Sequence, residues 1–200
     1  GRDNRHPLMG AAHGTGEAHG TGEAHGTGEA HGIDDRLRRR VLWAMPSGLY
    51  VVGSAADGRV NLMTANLAVQ VAVQPKIVAV AVDVTSVTHG LVSAGAAFSL
   101  SFLAREDRAV VRRFVKPVSG DEVVIRNGVV LSLAGEPVEV HATGAPVLAR
   151  AVAWLDCAVR HRVALGSHEL FLGEVVAVGG PDAEVPPVLR MEDTRMSYGG

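Results

Sequence analysis

The chain has 200 residues, 47% of them hydrophobic and 20% charged, and its formal net charge at pH 7 is −2. This composition is typical of a globular domain with a full core, and without a basic excess it argues against a nucleic-acid-binding protein. The single cysteine, Cys157, excludes an internal disulfide and fits a reducing cytoplasm. No apolar run reaches the roughly 18 residues of a membrane span, and the start shows no apolar signal core, so we expect a cytoplasmic protein.

The first part of the chain differs from the rest and predicts a flexible tail. From Ala12 to Gly32 the hexapeptide AHGTGE recurs about three times, without a large apolar residue that could offset the entropy of ordering. We therefore divide the chain into a low-complexity tail, residues 1–32, and one domain, residues 33–200.

Two patterns in this tail resemble binding sites, and we interpret neither as one. Thr15–Gly22 (TGEAHGTG) matches the dinucleotide loop of short-chain dehydrogenases, but that loop works only between a strand and a helix. Spaced imidazoles at His13, His19, His25 and His31 could bind nickel or zinc weakly. No partner ligand is held in fixed geometry, so a solvated repeat is the better interpretation.

The domain begins with a predicted helix and hairpin. The helix starts at Asp34 or Asp35, since acidic residues favour a helix start, and it ends before Pro46. GLYVVGSA predicts a strand, and the Asp57-Gly58 pair after it predicts a tight turn. VNLMTANLAV then continues as extended chain.

The rest of the domain predicts mostly strands with two short helices. One helix is capped by Ser86 or Thr88, and helical spacing marks the other over residues 105–115, before a loop rich in Gly and Pro. The predicted strands cover residues 76–84, 97–103, 151–165 and 168–179, with a hairpin at Gly166-Ser167 between the last two. This pattern favours a closed or partly closed β-barrel over a helical bundle or a βαβ repeat.

Motifs for hydrolysis are absent. The sequence contains no GxSxG, HExxH or GxxxxGK[ST] pattern. Cys157 lies in the apolar strand pattern AWLDCAV, and no neighbour in the sequence would lower the pKa of its thiol. We therefore interpret Cys157 as a buried structural thiol rather than a nucleophile.

Uncharged polar side chains cluster around an apolar strand in the segment Asn61–His89. Such donors and acceptors beside small residues suit a planar heterocycle such as a flavin, and a helix start suits its phosphate. The same residue types also fill ordinary turns, so composition leaves both interpretations open. The polar residues concerned are Asn61, Thr64, Asn66, Gln70, Ser86, Thr88 and His89.

Several short motifs occur in a fixed order along the domain. They are MPSGLYVVGS, a DG turn, NLMTANLAVQVAVQP, SVTHGLVSAGAAFSLSFL and GSHELFLGEVVAV. Each motif is degenerate, but the ordered set, from Met45 to Val178, resembles the flavin reductase family. The resemblance implies a mainly β fold, the FMN-binding split β-barrel, and a homodimer with the flavin near the subunit interface.

The resemblance also implies where the cofactor binds. It places flavin contacts after the second strand, at the end of the next buried strand, at the following helix start, and at the C-terminal tyrosine. These cofactor-binding residues are Met63, Thr64, Ala65, Asn66, Leu67, Ala81, Val82, Asp83, Ser86, Thr88, His89 and Tyr198. His168 matches a histidine on the nicotinamide side and is the one candidate catalytic residue, although a solvated turn residue is an equally good interpretation.

Three positions depart from the family pattern. Lys76 stands for the second proline of a Pro-Pro pair, and Ala72 stands for a serine near the site. Ser167 stands for the aspartate that precedes the histidine, which puts the nicotinamide-side role of His168 in question.

The implied activity is hydride transfer from NADH or NADPH to a flavin, FMN with FAD as an alternative. The flavin itself carries this chemistry, so no protein acid or base is required. Reduced flavin would pass to a partner monooxygenase or another electron acceptor. Two alternatives remain: an FMN-binding electron carrier that does not react with NAD(P)H, and a split barrel that binds a deazaflavin or haem, for which His141 and His161 are the available histidines.

Overall fold

A computed structural model describes residues 34–196. The repeat tail, with its dehydrogenase-like loop and its four spaced histidines, lies outside the described residues, as does Tyr198. The division of the chain at residue 32 therefore stays a prediction.

The described residues contain two α-helices, α1 (Asp35–Trp43) and α2 (Val87–Gly95), and eleven strands. The strands are β1 (Tyr50–Ala56), β2 (Arg59–Ala65), β3 (Ala68–Ala72), β4 (Ile77–Asp83), β5 (Ala97–Phe102), β6 (Val123–Arg126), β7 (Val129–Leu133), β8 (Glu136–Val140), β9 (Pro146–Leu148), β10 (Ala153–Ala164) and β11 (His168–Gly179).

The strands form two antiparallel sheets. The larger has seven strands in the order β2-β1-β5-β10-β11-β4-β3, and the smaller has four in the order β6-β7-β8-β9. The long pair β10 and β11, joined by the predicted Gly166-Ser167 hairpin, occupies the middle of the larger sheet. The mainly β fold and this hairpin are confirmed.

Local chemistry accounts for the first hairpin and for α2. Asp57 and Gly58 both have positive φ, 50° and 74°, which is the type I′ turn whose twist matches antiparallel strands. The Ser86 hydroxyl accepts the N–H of His89 at 3.0 Å and so caps α2. Of the two predicted caps, Ser86 is confirmed. Helix α1 also begins at a predicted residue, Asp35.

The predicted loop between residues 115 and 151 is wrong, because this segment contains β6 to β9. These strands are three to five residues long, too short for an alternating pattern to separate them from turns. The single helix predicted over 105–115 is also wrong: two 3-10 helices, Arg105–Asp107 and Val110–Phe114, take its place.

The apolar side chains form two core clusters. One packs Val51, Leu62 and Phe114 beneath the smaller sheet, and the other packs Phe98 and Phe171 within the larger one. Full burial of one such side chain contributes about 1.5–3 kcal/mol.

Cys157 belongs to the second cluster and is fully buried. Burial, with a smaller contribution from the neighbouring Asp156, raises the pKa of its thiol to about 12. A thiolate is therefore not available at neutral pH, and the prediction of a structural thiol is confirmed.

Neither helix of the described part is long and apolar enough to cross a membrane.

Candidate functional site

Several predicted site residues meet at the end of β4. Asp83 is opposite His168 in the β4–β11 ladder, and the N–H of Val84 donates to the carbonyl oxygen of Ser167 at 3.1 Å. The hairpin that carries His168 therefore lies beside the turn that leads into α2. Ser167 Oγ lies 3.0 Å from His168 Nδ1, so the serine that replaces the family aspartate still contacts this ring.

The carboxylate of Asp83 stabilises that turn. Its Oδ1 accepts the backbone N–H of Thr85 at 2.8 Å and the Thr85 hydroxyl at 2.7 Å. The backbone bond, followed by the hydroxyl bond, lowers the pKa of Asp83. An ionised carboxylate has no hydrogen to donate to a phosphate. We therefore interpret Asp83 as a residue that stabilises the turn and not as one that binds the phosphate.

The start of α2 is held to the sheet by a buried pair. Asn61 Nδ2 donates to the hydroxyl of Thr88 at 2.9 Å, and Asn61 Oδ1 accepts the N–H of Val118 at 2.9 Å. Thr88 is 1% exposed and Asn61 is 2% exposed. In this structure Asn61 of β2 binds both the start of α2, through Thr88, and the loop before β6, through Val118.

The other predicted contacts lie at the break between β2 and β3. Thr64 donates to the carbonyl oxygen of Val111 at 2.5 Å, while Ala65 is opposite Tyr50 in the β1–β2 ladder. The N–H of Ala81 donates to the carbonyl oxygen of Leu67 at 2.9 Å, so the break lies directly beside β4. Leu67 and Ala81 are therefore neighbours, at the point where the chain passes from β2 at one edge of the larger sheet to β3 at the other.

An open cavity of about 630 Å³ adjoins this break. Its lining comes from the end of α1, the start of β1, the break itself and the C-terminal segment. Residues from these parts include Trp43, Ser47, Tyr50, Asn66, Met191 and Met196. Its volume lies in the range of small-molecule sites, about 300–1,000 Å³.

One atom at the cavity has no partner among the described residues: the side-chain oxygen of Asn66, Oδ1, is buried and accepts no hydrogen bond. A second cavity, of about 420 Å³, lies against β3 and is lined by Ala68, Val69 and Phe102 among others. Its lining is more apolar than that of the first cavity.

Residues 42–199 match the family described as flavin reductase like domain. The chain belongs to this family. It is 34% identical over 149 residues to the NADH-dependent FAD reductase of Streptomyces globisporus, covering 71% of this chain and 75% of that protein. It is 32% identical over 134 residues to an NADH:riboflavin 5'-phosphate oxidoreductase of Streptomyces pristinaespiralis, covering 67% of this chain and 70% of that one.

A solved relative in this flavin reductase family has the same fold. The styrene monooxygenase flavin reductase of Pseudomonas putida S12 superposes with a TM-score of 0.61 at 25% identity, over 77% of this chain and 90% of that chain. The predicted family, the split β-barrel fold and the class of activity, a flavin-dependent oxidoreductase, are confirmed.

The site at the β2–β3 break fits the flavin that this family uses. A flavin ring needs apolar cover over its faces and hydrogen-bonding groups at its pyrimidine edge, and the cavity offers Trp43, Tyr50 and the unpaired oxygen of Asn66. The first turn of α2, a helix of nine residues, leaves backbone N–H groups that suit a phosphate. No residue of α2 or of the end of β4 lines this cavity, and Asn66 is the one predicted contact among the described residues that does.

The histidines considered for haem lie elsewhere. The ring of His141 stacks on Trp154 with a centroid distance of 3.9 Å, and His161 is an exposed residue of β10. Within residues 34–196 no three His, Cys, Asp or Glu side chains are grouped to hold a metal ion.

A polar network beside His89 was missed by the sequence analysis. Glu169 Oε2 lies 2.6 Å from His89 Nε2, and the Arg162 guanidinium donates to both Glu169 oxygens at 2.8 and 2.6 Å. Arg162 also donates to Ser93 Oγ at 3.0 Å and covers the ring of Phe171 at 5.2 Å. The network ties α2 to the hairpin that carries His168.

A signal for this network is present in the sequence. Glu169 is opposite Ala164 in the β10–β11 ladder, so Arg162 is its diagonal neighbour across the hairpin. Opposite charges at such positions commonly pair. The contact with His89, 80 residues away in the chain, has no local signal.

This network predicts a specific loss of stability in acid. The bond from Arg162, followed by that from His89, lowers the pKa of Glu169 to about 2 from an ordinary 4.5. Because the folded pKa is the lower one, the stabilisation is complete above pH 4.5 and is lost as the pH falls towards 2. We expect Glu169→Gln to lower the urea midpoint at pH 7 but to differ much less from the unsubstituted protein at pH 3.

The matched control is Glu174→Gln, on the same strand. Glu174 pairs with Arg160 at 2.8 Å in an exposed ion pair, so its replacement should change the midpoint little at either pH. If Glu169→Gln lowers the urea midpoint by the same amount at pH 7 and at pH 3, the proposed ionised network is contradicted.

Proposed function

We propose that this protein is an NADH-dependent flavin reductase that binds FMN at the β2–β3 break and the start of α2. The observation that carries the proposal is the cavity of about 630 Å³, whose lining includes Trp43, Tyr50 and Asn66. NADH as donor is supported by the two Streptomyces relatives, whose names state that dependence. One relative is named for FAD and the other for riboflavin 5'-phosphate, so FMN is our choice and FAD the alternative.

The flavin supplies the redox chemistry, accepting a hydride from the nicotinamide. The chain's own residues bind the flavin and orient its ring. The proposed ring contacts are Met63, Thr64, Ala65, Asn66, Leu67, Ala81 and Val82, and the proposed phosphate side is Ser86, His89 and the first turn of α2. Thr88 and Asp83 stabilise the backbone of this phosphate side. Thr88 does so through its buried bond from Asn61, and Asp83 through its bond from the N–H of Thr85. Tyr198 remains a proposed contact from outside the described residues.

His168 is the proposed residue on the nicotinamide side. It is half-buried, lies opposite Asp83 and contacts Ser167. Because the flavin carries the reaction, we assign His168 to positioning of the nicotinamide and to no proton transfer.

We further propose a homodimer. Three valines on and after the edge strand β3 are strongly exposed, Val69 at 62%, Val71 at 52% and Val73 at 74%. Such a row of apolar side chains is typical of an interface. Light scattering that gives the mass of a single chain would contradict the dimer.

The proposed acceptor of reduced flavin is a separate monooxygenase or another electron acceptor. The solved relative is named as the flavin reductase of a styrene monooxygenase, which supports a two-component arrangement. Dependence on NADH and a single buried cysteine support a place in the cytoplasm.

The activity is tested by anaerobic mixing of the protein and FMN with NADH, and separately with NADPH. With NADH we expect rapid loss of the flavin absorbance at about 450 nm. This loss should be far faster than in a mixture of FMN and NADH without protein, and faster than with NADPH. FAD in place of FMN gives the flavin preference. A protein that holds flavin but is not bleached by either donor would be an electron carrier, and the reductase proposal would fail.

A further inference from the structure

The second cavity lies against the larger sheet and has no part in the proposed flavin site. Its volume of about 420 Å³ falls within the range of small-molecule sites, about 300–1,000 Å³. Strands β1, β3, β4, β5, β10 and β11 all contribute lining residues, so the sheet encloses the space from several sides. The mouth of a β-barrel is a common place for a ligand. Tyr50 is the one lining residue that this cavity shares with the first.

The walls of this cavity are apolar and belong to the core. Val78 is 6% exposed and Leu100 is 2% exposed, and both are members of the second core cluster. The rings of Tyr50 and Phe102 meet edge to face, with a centroid distance of 5.2 Å. Aromatic rings attract one another in offset and edge-to-face arrangements, so a third ring packs well against this pair. The walls therefore favour a flat aromatic ligand.

A single cation stands among these apolar side chains. Besides Tyr50, the polar residues that line the cavity are Gln70 and Lys76, and none of the lining residues is acidic. The Lys76 ammonium forms no ion pair with another residue in the described part of the chain. Glu174, on the neighbouring strand β11, is already paired with Arg160 at 2.8 Å. The ligand that complements this lining therefore carries an anionic group beside its ring.

We propose that the second cavity binds a small aromatic carboxylate, with its ring against Tyr50 and Phe102 and its carboxylate at the Lys76 ammonium. The backbone of Lys76 is fixed beside the cavity, because its carbonyl oxygen accepts the N–H of Val175 at 3.0 Å. Lys76 is also one of the positions at which this chain departs from the family pattern. The site is therefore assigned to this chain and not to flavin reductases in general, and it goes beyond flavin reduction.

The test is calorimetric titration of the full chain with 2-naphthoate and with its neutral analogue 2-naphthamide. We expect 2-naphthoate to bind with a dissociation constant of about 0.1–1 mM, as its size and the apolar walls allow. It should bind about threefold to fivefold more tightly than 2-naphthamide, because an ion pair at the cavity rim contributes modestly.

Three variants locate the site and its cation. Lys76→Gln should give equal affinities for the two ligands, whereas Lys116→Gln, at an exposed lysine that does not line the cavity, should keep the preference for the carboxylate. Ala68→Phe, whose ring fills the cavity, should abolish binding of both ligands. Lys76 is exposed, so its replacement leaves the fold intact and decides the matter even if Ala68→Phe fails to fold.

The inference is overturned if 2-naphthoate does not bind, if it binds no more tightly than 2-naphthamide, or if the preference persists in Lys76→Gln. Repeating the titration with FMN bound separates the two cavities, since displacement of 2-naphthoate by FMN would place it in the flavin site and overturn the inference. Failure of FMN to bind affects the proposed function alone. Val69 lines this cavity and belongs to the row of valines proposed for the dimer, so a second copy is the competing occupant. Absence of 2-naphthoate binding, together with single chains in light scattering of Ala68→Phe, would assign the cavity to that copy.

Discussion

Replacement of Gly53 by alanine is expected to destabilise the protein by about 3 kcal/mol, an overpacking effect at the upper end of the usual range. Gly53 is a buried residue of β1 at the place where the two sheets meet. A Cβ added there would overlap the carbonyl oxygen of Pro146 and the hydroxyl of Ser99. Since the Pro146 oxygen is a backbone atom in β9, it cannot rotate away.

The overlap also breaks a buried contact. Ser99 Oγ donates to the carbonyl oxygen of Pro146 at 2.6 Å, and this bond joins β5 of the larger sheet to β9 of the smaller one. An added methyl group at Gly53 would separate the two strands and leave both polar groups buried without partners.

The matched control is Gly90→Ala in α2. No atom lies within 4 Å of a Cβ added at Gly90, and the residue is in a helix interior, where alanine is favoured over glycine by about 1 kcal/mol. Urea unfolding followed by far-UV circular dichroism should show opposite shifts of the midpoint for the two variants. Equal midpoints would mean that β9 can move and that the contact with Gly53 is not rigid.

Long elements with local signals could be predicted from the sequence. The strands on either side of Gly166-Ser167 are twelve residues each, long enough for their pattern to be clear. The Asp57-Gly58 turn and the cap at Ser86 depend on the chemistry of two or three neighbouring residues, and both were confirmed.

Short elements and contacts between distant residues could not be predicted. Strands β6 to β9 depend on pairing with each other more than on their own pattern. The helix predicted over residues 105–115 rested on the spacing of Val110, Val111 and Phe114. These side chains are buried, but they lie on a five-residue 3-10 helix instead of a single longer helix. Burial patterns thus indicated which residues enter the core without giving the local geometry that carries them.

The candidate site was predicted in the same uneven way. The resemblance named three segments, and the structure places the β2–β3 break beside β4 and the end of β4 beside His168. The resemblance did not distinguish residues that stabilise the site from residues that line the cavity. Thr88 makes a buried bond to Asn61, whereas Asn66 has an unpaired oxygen at a cavity. Only the folded arrangement separates a residue that supports the site from one that faces it.

Blocking the cavity should have the largest effect on function. Ser47 lines the cavity between the end of α1 and β1, and its carbonyl oxygen accepts the N–H of Met191 at 3.1 Å. In Ser47→Phe the backbone bond remains, while a phenyl ring occupies space that the flavin needs. We expect FMN affinity to fall about tenfold or more, by steric exclusion, with FMN reduction by NADH falling in parallel at a limiting flavin concentration.

The control is Ala142→Phe, which adds the same ring at an exposed position that does not line this cavity. It should leave FMN affinity unchanged, and the thermal midpoints of both variants show whether Ser47→Phe remains folded. A third variant, Ala68→Phe, fills the second cavity against β3. If Ala68→Phe abolishes FMN binding while Ser47→Phe does not, the flavin lies in the second cavity, and the proposed role of Asn66 falls with it. Loss of binding in Ser47→Phe alone places the flavin in the first cavity, which both Ser47 and Asn66 line.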